Sequence, residues 1–144
     1  MVFSKRLKNG NGNATRQPVP TLFPEYAIAR RKMIEQHLLP RGITDKKVLE
    51  MMEKTPRHLF VDDALISQAY GDSALSIGFK QTISQPFTVA LLAQSLSLKG
   101  FERVLEIGTG CGYQTAILAG LAQKIYSIER LKPLVLKARS NLKK

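Results

Sequence analysis

Val104-Leu-Glu-Ile-Gly-Thr-Gly-Cys-Gly-Tyr113 is the stretch that decides how this chain folds. Arg103 to Ile107 is a short strand of the buried type, and Gly108 opens a glycine-rich turn after it. The residues from Thr115 to Leu121 predict a helix, and Lys124-Ile-Tyr-Ser-Ile-Glu129 a second strand. Pro133 suits the first turn of a last helix, running to the end through Leu134, Leu136 and Ala138. Strands alternating with helices of this length imply parallel strands in an open, doubly wound α/β sheet. Such sheets bind ligands beyond the carboxyl ends of their strands. The glycine turn stands at one such end and Glu129 at the other.

The turn narrows the ligand. Glycines let a backbone turn sharply and lie close against a bulky group. Dinucleotides call for Gly-x-Gly-x-x-Gly, whose third glycine packs helix on strand. Here Gly108, Gly110 and Gly112 are spaced Gly-x-Gly-x-Gly, and Tyr113 stands where the third glycine of the dinucleotide pattern belongs. Glu106 precedes the turn by two residues. An acid there suits a cationic ligand such as S-adenosylmethionine, with its sulfonium and ammonium, and would repel a pyrophosphate. Glu129 can accept hydrogen bonds from both ribose hydroxyls, a feature shared with nicotinamide binding. A nicotinamide oxidoreductase is therefore the weakest reading.

Upstream, Ile28, Met33, Ile34, His37 and Leu38 fall at helical spacing, and Pro40 with Gly42 ends that element. Thr44-Asp45 announces a second helix that stops before Pro56. Residues 57–65 read as a loop or short helical turn, 69–76 as a loop, and Gly78 to Pro86 as an extended segment. Val89, Leu91, Leu92, Leu96 and Leu98 mark another helix, closed by Gly100. Residues 1–24, rich in Gly, Asn, Lys and Pro, predict a disordered basic tail, and 25–144 belong to one domain.

The chain has 144 residues, 44% hydrophobic, and a formal net charge of +11. That length gives one domain with a real core. The charge gathers at the two ends: Lys5, Arg6, Lys8 and Arg16, then Lys124, Arg130, Lys132, Lys137, Arg139, Lys143 and Lys144. Only Tyr126 interleaves with these terminal cations, so they read as a solvated surface and no nucleic-acid partner is expected. Cys111 is the lone cysteine, which excludes an internal disulfide, and it reads as a small filler. No apolar run follows the basic start and none reaches a membrane span. A soluble, cytoplasmic monomer is expected. His37 and His58 lack acidic or cysteine partners at ligand spacing, so they read as structural and no metal is expected.

Two blocks carry a family resemblance. Val104 to Thr115 resembles motif I of class I methyltransferases. Ser76-Ile-Gly-Phe-Lys-Gln-Thr-Ile-Ser-Gln-Pro86 resembles the signature of the protein-L-isoaspartate (D-aspartate) O-methyltransferase family. Met33-Ile-Glu-Gln-His-Leu, Val48-Leu-Glu-Met-Met and Pro56-Arg-His-Leu-Phe-Val61 support it, and the resemblance runs from about Ala29 to the last residue.

The resemblance implies a Rossmann-like methyltransferase fold with an N-terminal helical segment. It implies methyl transfer from S-adenosylmethionine to the α-carboxylate of L-isoaspartyl residues in damaged proteins, a repair reaction. Ser84 would be the catalytic hydroxyl, orienting the acceptor carboxylate. Thr82, Ile83, Ser84 and Gln85 would border the cofactor, with Glu106, Gly108, Thr109, Gly110, Gly112 and Glu129 completing its site. The family's sheet has about seven strands, and two cofactor-proximal strands are legible here. The sheet is thus expected to be incomplete in this chain, which would leave it marginally stable or aggregation-prone. An inactive truncated fragment, or a methyltransferase with another acceptor such as RNA, are the alternatives.

Overall fold

The computed structural model describes residues 1–4 and 26–143. In chain order these form β1 (Val2–Ser4), α1 (Ala27–Met33), α2 (Lys46–Lys54), β2 (Leu75–Gly78), β3 (Gln81–Ile83), α3 (Pro86–Ser95), β4 (Arg103–Ile107), α4 (Tyr113–Leu121), β5 (Lys124–Ile128) and α5 (Lys132–Asn141). Short 3₁₀ turns at Arg57–Phe60 and Asp63–Gln68 join α2 to β2.

Local chemistry sets most boundaries. Asp45 caps α2, its Oδ1 accepting from Lys47 N at 2.8 Å and Val48 N at 3.3 Å. Such a cap contributes about 1 kcal/mol. Pro86 and Pro133 sit in the first turns of α3 and α5, where no amide is missed. The first helix widens to π geometry over Ile34–Leu38 and tightens to 3₁₀ over Leu39–Arg41 before left-handed Gly42 stops it.

β4 and β5 pair in parallel, from Arg103 opposite Lys124 to Ile107 opposite Ile128, as the strand–helix–strand pattern predicts. Alternation then sorts side chains by face. One face carries Ile125, Ser127 and Glu106, all buried. The core beneath α4 includes Ile117, Leu118 and Leu121, with Val48 and Met52 of α2 and Val89 of α3. On the opposite face Leu105, Ile107 and Ile128 are 60%, 73% and 54% exposed, so that face is open among the described residues. A parallel pair open on one side is the incomplete sheet expected from the sequence.

Three expectations change. The tail of 1–24 is not disordered throughout: Val2–Ser4 pairs antiparallel with the outer edge of β5. That pairing is non-local, so tail composition gives no sign of it; the remainder of the tail lies outside the described residues. The loop at 69–76 ends in strand, because β2 folds back on β3 as a hairpin with Leu75 opposite Ile83. Its two-residue tip, Phe79–Lys80, has φ of 56° at both positions. Strands among the described residues therefore number five, where two were legible in the sequence. No helix among the described residues is long and apolar enough to cross a membrane.

Candidate functional site

The glycine turn is tied to the end of the neighbouring strand. Gly108 N and Thr109 N both donate to Ile128 O, at 2.8 and 3.2 Å. The turn closes on itself through Gly112 N to Thr109 O at 2.9 Å. Glu129, one residue past β5, then fixes the tip: its Oε2 accepts from Gly110 N and its Oε1 from Leu131 N, both at 2.9 Å. Burial alone would raise its carboxyl. The amides of Leu131, Gly110 and Arg130 outweigh that and hold it below the usual carboxylate range. A carboxylate oxygen has two lone pairs, so each still has one to offer a ligand hydroxyl.

Glu106 points into the layer between sheet and α4. Its Oε2 accepts from Thr115 Oγ1 and Ser127 Oγ, both at 2.5 Å, and Thr109 Oγ1 lies 2.6 Å from Ser127 Oγ. Desolvation pushes its carboxyl up, against the hydrogen bonds from Ser127 and Thr115. Its Oε1 is buried with no hydrogen-bond partner among the described residues.

Above the turn lies a cleft of about 240 Å³. Thr82, Ile83 and Ser84 form one wall, Val89 and Leu92 of α3 the back, and Ile107 to Cys111 with Tyr113 and Gln114 the floor. Among the residues singled out from the sequence, the cleft gathers Thr82, Ile83, Ser84, Gly108, Thr109 and Gly110. Ser84 is exposed, and its hydroxyl has no protein partner among the described residues. Gln85 stands outside the lining, its carbonyl receiving Val89 N at the start of α3. Gly112 also stands outside, where a Cβ would lie 3.1 Å from Leu142 Cδ1. Glu106 and Glu129 flank the cleft without lining it.

The site also contains residues the sequence did not single out. Thr115 and Ser127 hold Glu106. Arg57 donates from Nη2 to Ser84 O at 2.8 Å. Tyr113, which the sequence marks only as a departure from a glycine pattern, is fully buried, edge-on to Phe60 with ring centroids 5.4 Å apart. Cys111 is buried in the floor, and burial raises its thiol, so it is not a reactive thiolate at neutral pH. His58 has a packing role, stacked on Tyr26 with centroids 4.1 Å apart and its Nδ1 2.7 Å from Tyr70 Oη.

The arrangement fits a nucleoside-bearing cation. The floor is backbone, a Cβ built on Gly108 meets nothing within 4 Å, and one Glu106 oxygen is left over. Glu129 stands at the strand end with accepting capacity. The model of the protein-L-isoaspartate(D-aspartate) O-methyltransferase family matches residues 29–144. The chain belongs to that family. It is 60% identical over 114 residues to protein-L-isoaspartate O-methyltransferase 1 of Pelobacter propionicus, which covers 79% of this chain and 53% of the relative. Against the Geobacter metallireducens protein-L-isoaspartate O-methyltransferase the identity is 55% over 117 residues, 81% of this chain and 54% of the relative. The chain thus spans about half the length of these isoaspartate methyltransferases. The fold is similar to that of the Plasmodium falciparum protein-L-isoaspartate O-methyltransferase crystallised with S-adenosyl-L-homocysteine, at TM-score 0.66 and 26% identity over 82% of this chain and 55% of that one. The expected methyltransferase architecture is therefore correct.

Proposed function

We propose that this chain carries the cofactor site and the acceptor-orienting serine for methyl transfer from S-adenosylmethionine to the α-carboxylate of L-isoaspartyl residues. One observation carries the reading: Ser84, whose hydroxyl has no partner among the described residues, and the glycine turn line the same cleft. Family membership supports it. S-adenosylmethionine supplies a methyl group on a sulfonium, open to attack by an oxygen nucleophile. A carboxylate of ordinary pKa, near 4, is already ionised at neutral pH, so no general base is needed. The work of the protein is alignment, which can supply about 7–11 kcal/mol. Gly108 to Gly110 give the cofactor a close backbone seat, and Glu129 accepts its ribose hydroxyls. Glu106, buried outside the cleft lining, meets its cationic end through water, using the oxygen that has no partner among the described residues. Ser84 donates its hydroxyl to one oxygen of the acceptor carboxylate, leaving the other to attack.

The test is methyl transfer by this chain to an isoaspartyl peptide, with the aspartyl peptide of the same sequence and an RNA as controls, alongside titration with S-adenosylhomocysteine. Transfer to the isoaspartyl peptide alone, lowered in Ser84→Ala with cofactor affinity kept, supports the proposal. Transfer to RNA, or unchanged transfer in Ser84→Ala, overturns it.

A further inference from the structure

Arg57 is buried to 0% exposure, yet no carboxylate lies within ion-pair distance among the described residues. Taking a guanidinium out of water costs several kcal/mol unless its surroundings compensate. Here Nε donates to Ala69 O at 2.7 Å and Nη2 to Ser84 O at 2.8 Å. The guanidinium carbon lies 4.8 Å from the centroid of the Tyr113 ring. Burial pulls its pKa down and Tyr113 opposes that.

Two of these contacts, Ser84 and Tyr113, lie on separate walls of one cleft, and the third, Ala69, lies outside its lining. Ser84 lies on the wall after β3, Tyr113 on the floor just after the glycine turn, and Ala69 on the turn leading to β2. Ser84 is held by its carbonyl while its hydroxyl has no partner among the described residues. A neutral side chain could fill this volume without the desolvation penalty. Only a planar fork can donate to two carbonyls and present a face to a ring at once.

We propose that Arg57 is a positioning residue, fixing the Ser84 hydroxyl against the glycine-turn floor so that the acceptor carboxylate meets the methyl group in line. The inference rests on the role given to Ser84 above. Arg57 itself touches neither reactant. Lysine at this position keeps the charge but gathers its donors on one nitrogen, so it lacks both the second donor nitrogen and the flat face.

The experiment is a mutant cycle of Arg57→Lys, Ser84→Ala and the double variant in the full chain. It reads kcat and KM for an isoaspartyl peptide and the Kd of S-adenosylhomocysteine. Arg57→Lys should lower kcat about tenfold or more while that Kd moves less than about threefold. In the Ser84→Ala background the same change should alter kcat less than about twofold. An equal loss in both backgrounds, or none in the first, overturns the inference. NMR order parameters of the Ser84 and Gln85 amides need no turnover. They should show a rigid segment in the unaltered chain and a looser one in Arg57→Lys. Arg57→Gln, which retains one donor nitrogen, serves if the lysine variant does not fold. Equal order in variant and unaltered chain overturns the inference. A chain that transfers nothing but loses Ser84 order in the variant overturns only the proposed function.

Discussion

Alanine at Gly108 and at Gly112 should fail for different reasons, and the structure sets the difference. Both have left-handed backbones, with φ of +89° and +93°. An alanine there loses roughly 1–2 kcal/mol to the clash of its Cβ with the following carbonyl. At Gly108 nothing else is added, since a Cβ meets no atom within 4 Å. At Gly112 the Cβ would lie 3.1 Å from both Cδ1 and Cγ of Leu142 and 3.4 Å from Ala138 Cβ. Forcing a methyl into such a contact adds about 1–3 kcal/mol. Gly112→Ala should therefore destabilise by roughly 2–5 kcal/mol and Gly108→Ala by roughly 1–2 kcal/mol. Urea unfolding at constant m-value reads both. In a Leu142→Ala background the Gly112 loss should shrink to that at Gly108. Cofactor binding should show the opposite order: Gly108→Ala puts a methyl into the open cleft and should weaken S-adenosylhomocysteine more than Gly112→Ala does. Equal stability losses, or unchanged affinity in Gly108→Ala, would refute this division between ligand seat and helix packing.

Because burial raises the Glu106 carboxyl, the folded chain holds that proton more tightly than the unfolded chain does. The Glu106 contribution to stability should therefore fall as pH rises from the ordinary carboxylate range through the raised native value. Glu106→Gln should flatten the melting-temperature profile there, and an unchanged slope would contradict it. Glu129 is held the other way, by amides, so its contribution is present above the ordinary carboxylate range and is lost as pH falls through the lowered native value. Glu129→Gln should weaken S-adenosylhomocysteine about tenfold by calorimetry, the loss expected for one hydrogen bond to a charged group. The open face of Leu105, Ile107 and Ile128 predicts self-association. Sedimentation should show less of it in Leu105→Thr with Ile107→Thr, and no change would dissociate that face from association.

The elements next to the glycine turn were legible because punctuation and period agree there. Gly108 ends β4, Pro133 starts α5, and the strands between alternate. The cap at Asp45 and the stop at Pro56 made α2 equally readable. The hairpin tip was not. Two-residue hairpin turns favour Asn and Gly, and Phe79–Lys80 takes the left-handed conformation without either. The direction of Glu106 was also hidden. Alternation puts it opposite Leu105 and Ile107, but its burial depends on Thr115 and Ser127, which are 9 and 21 residues away in sequence. Arg57 enters the sequence reading only within Pro56-Arg-His-Leu-Phe-Val61, since its partners are carbonyls and carbonyls leave no mark in composition.

The carbonyl of Ile128 receives two amides of the glycine turn, and the next residue's carboxylate receives a third. The proposed cofactor seat and the acid beside it are consequently joined as one jaw, whose span is dictated by the spacing of two paired strands. A ligand bridging that span would find its contacts already at the correct separation. Its arrival would demand no rearrangement, and encounter rather than closure would govern how fast this side of the site fills.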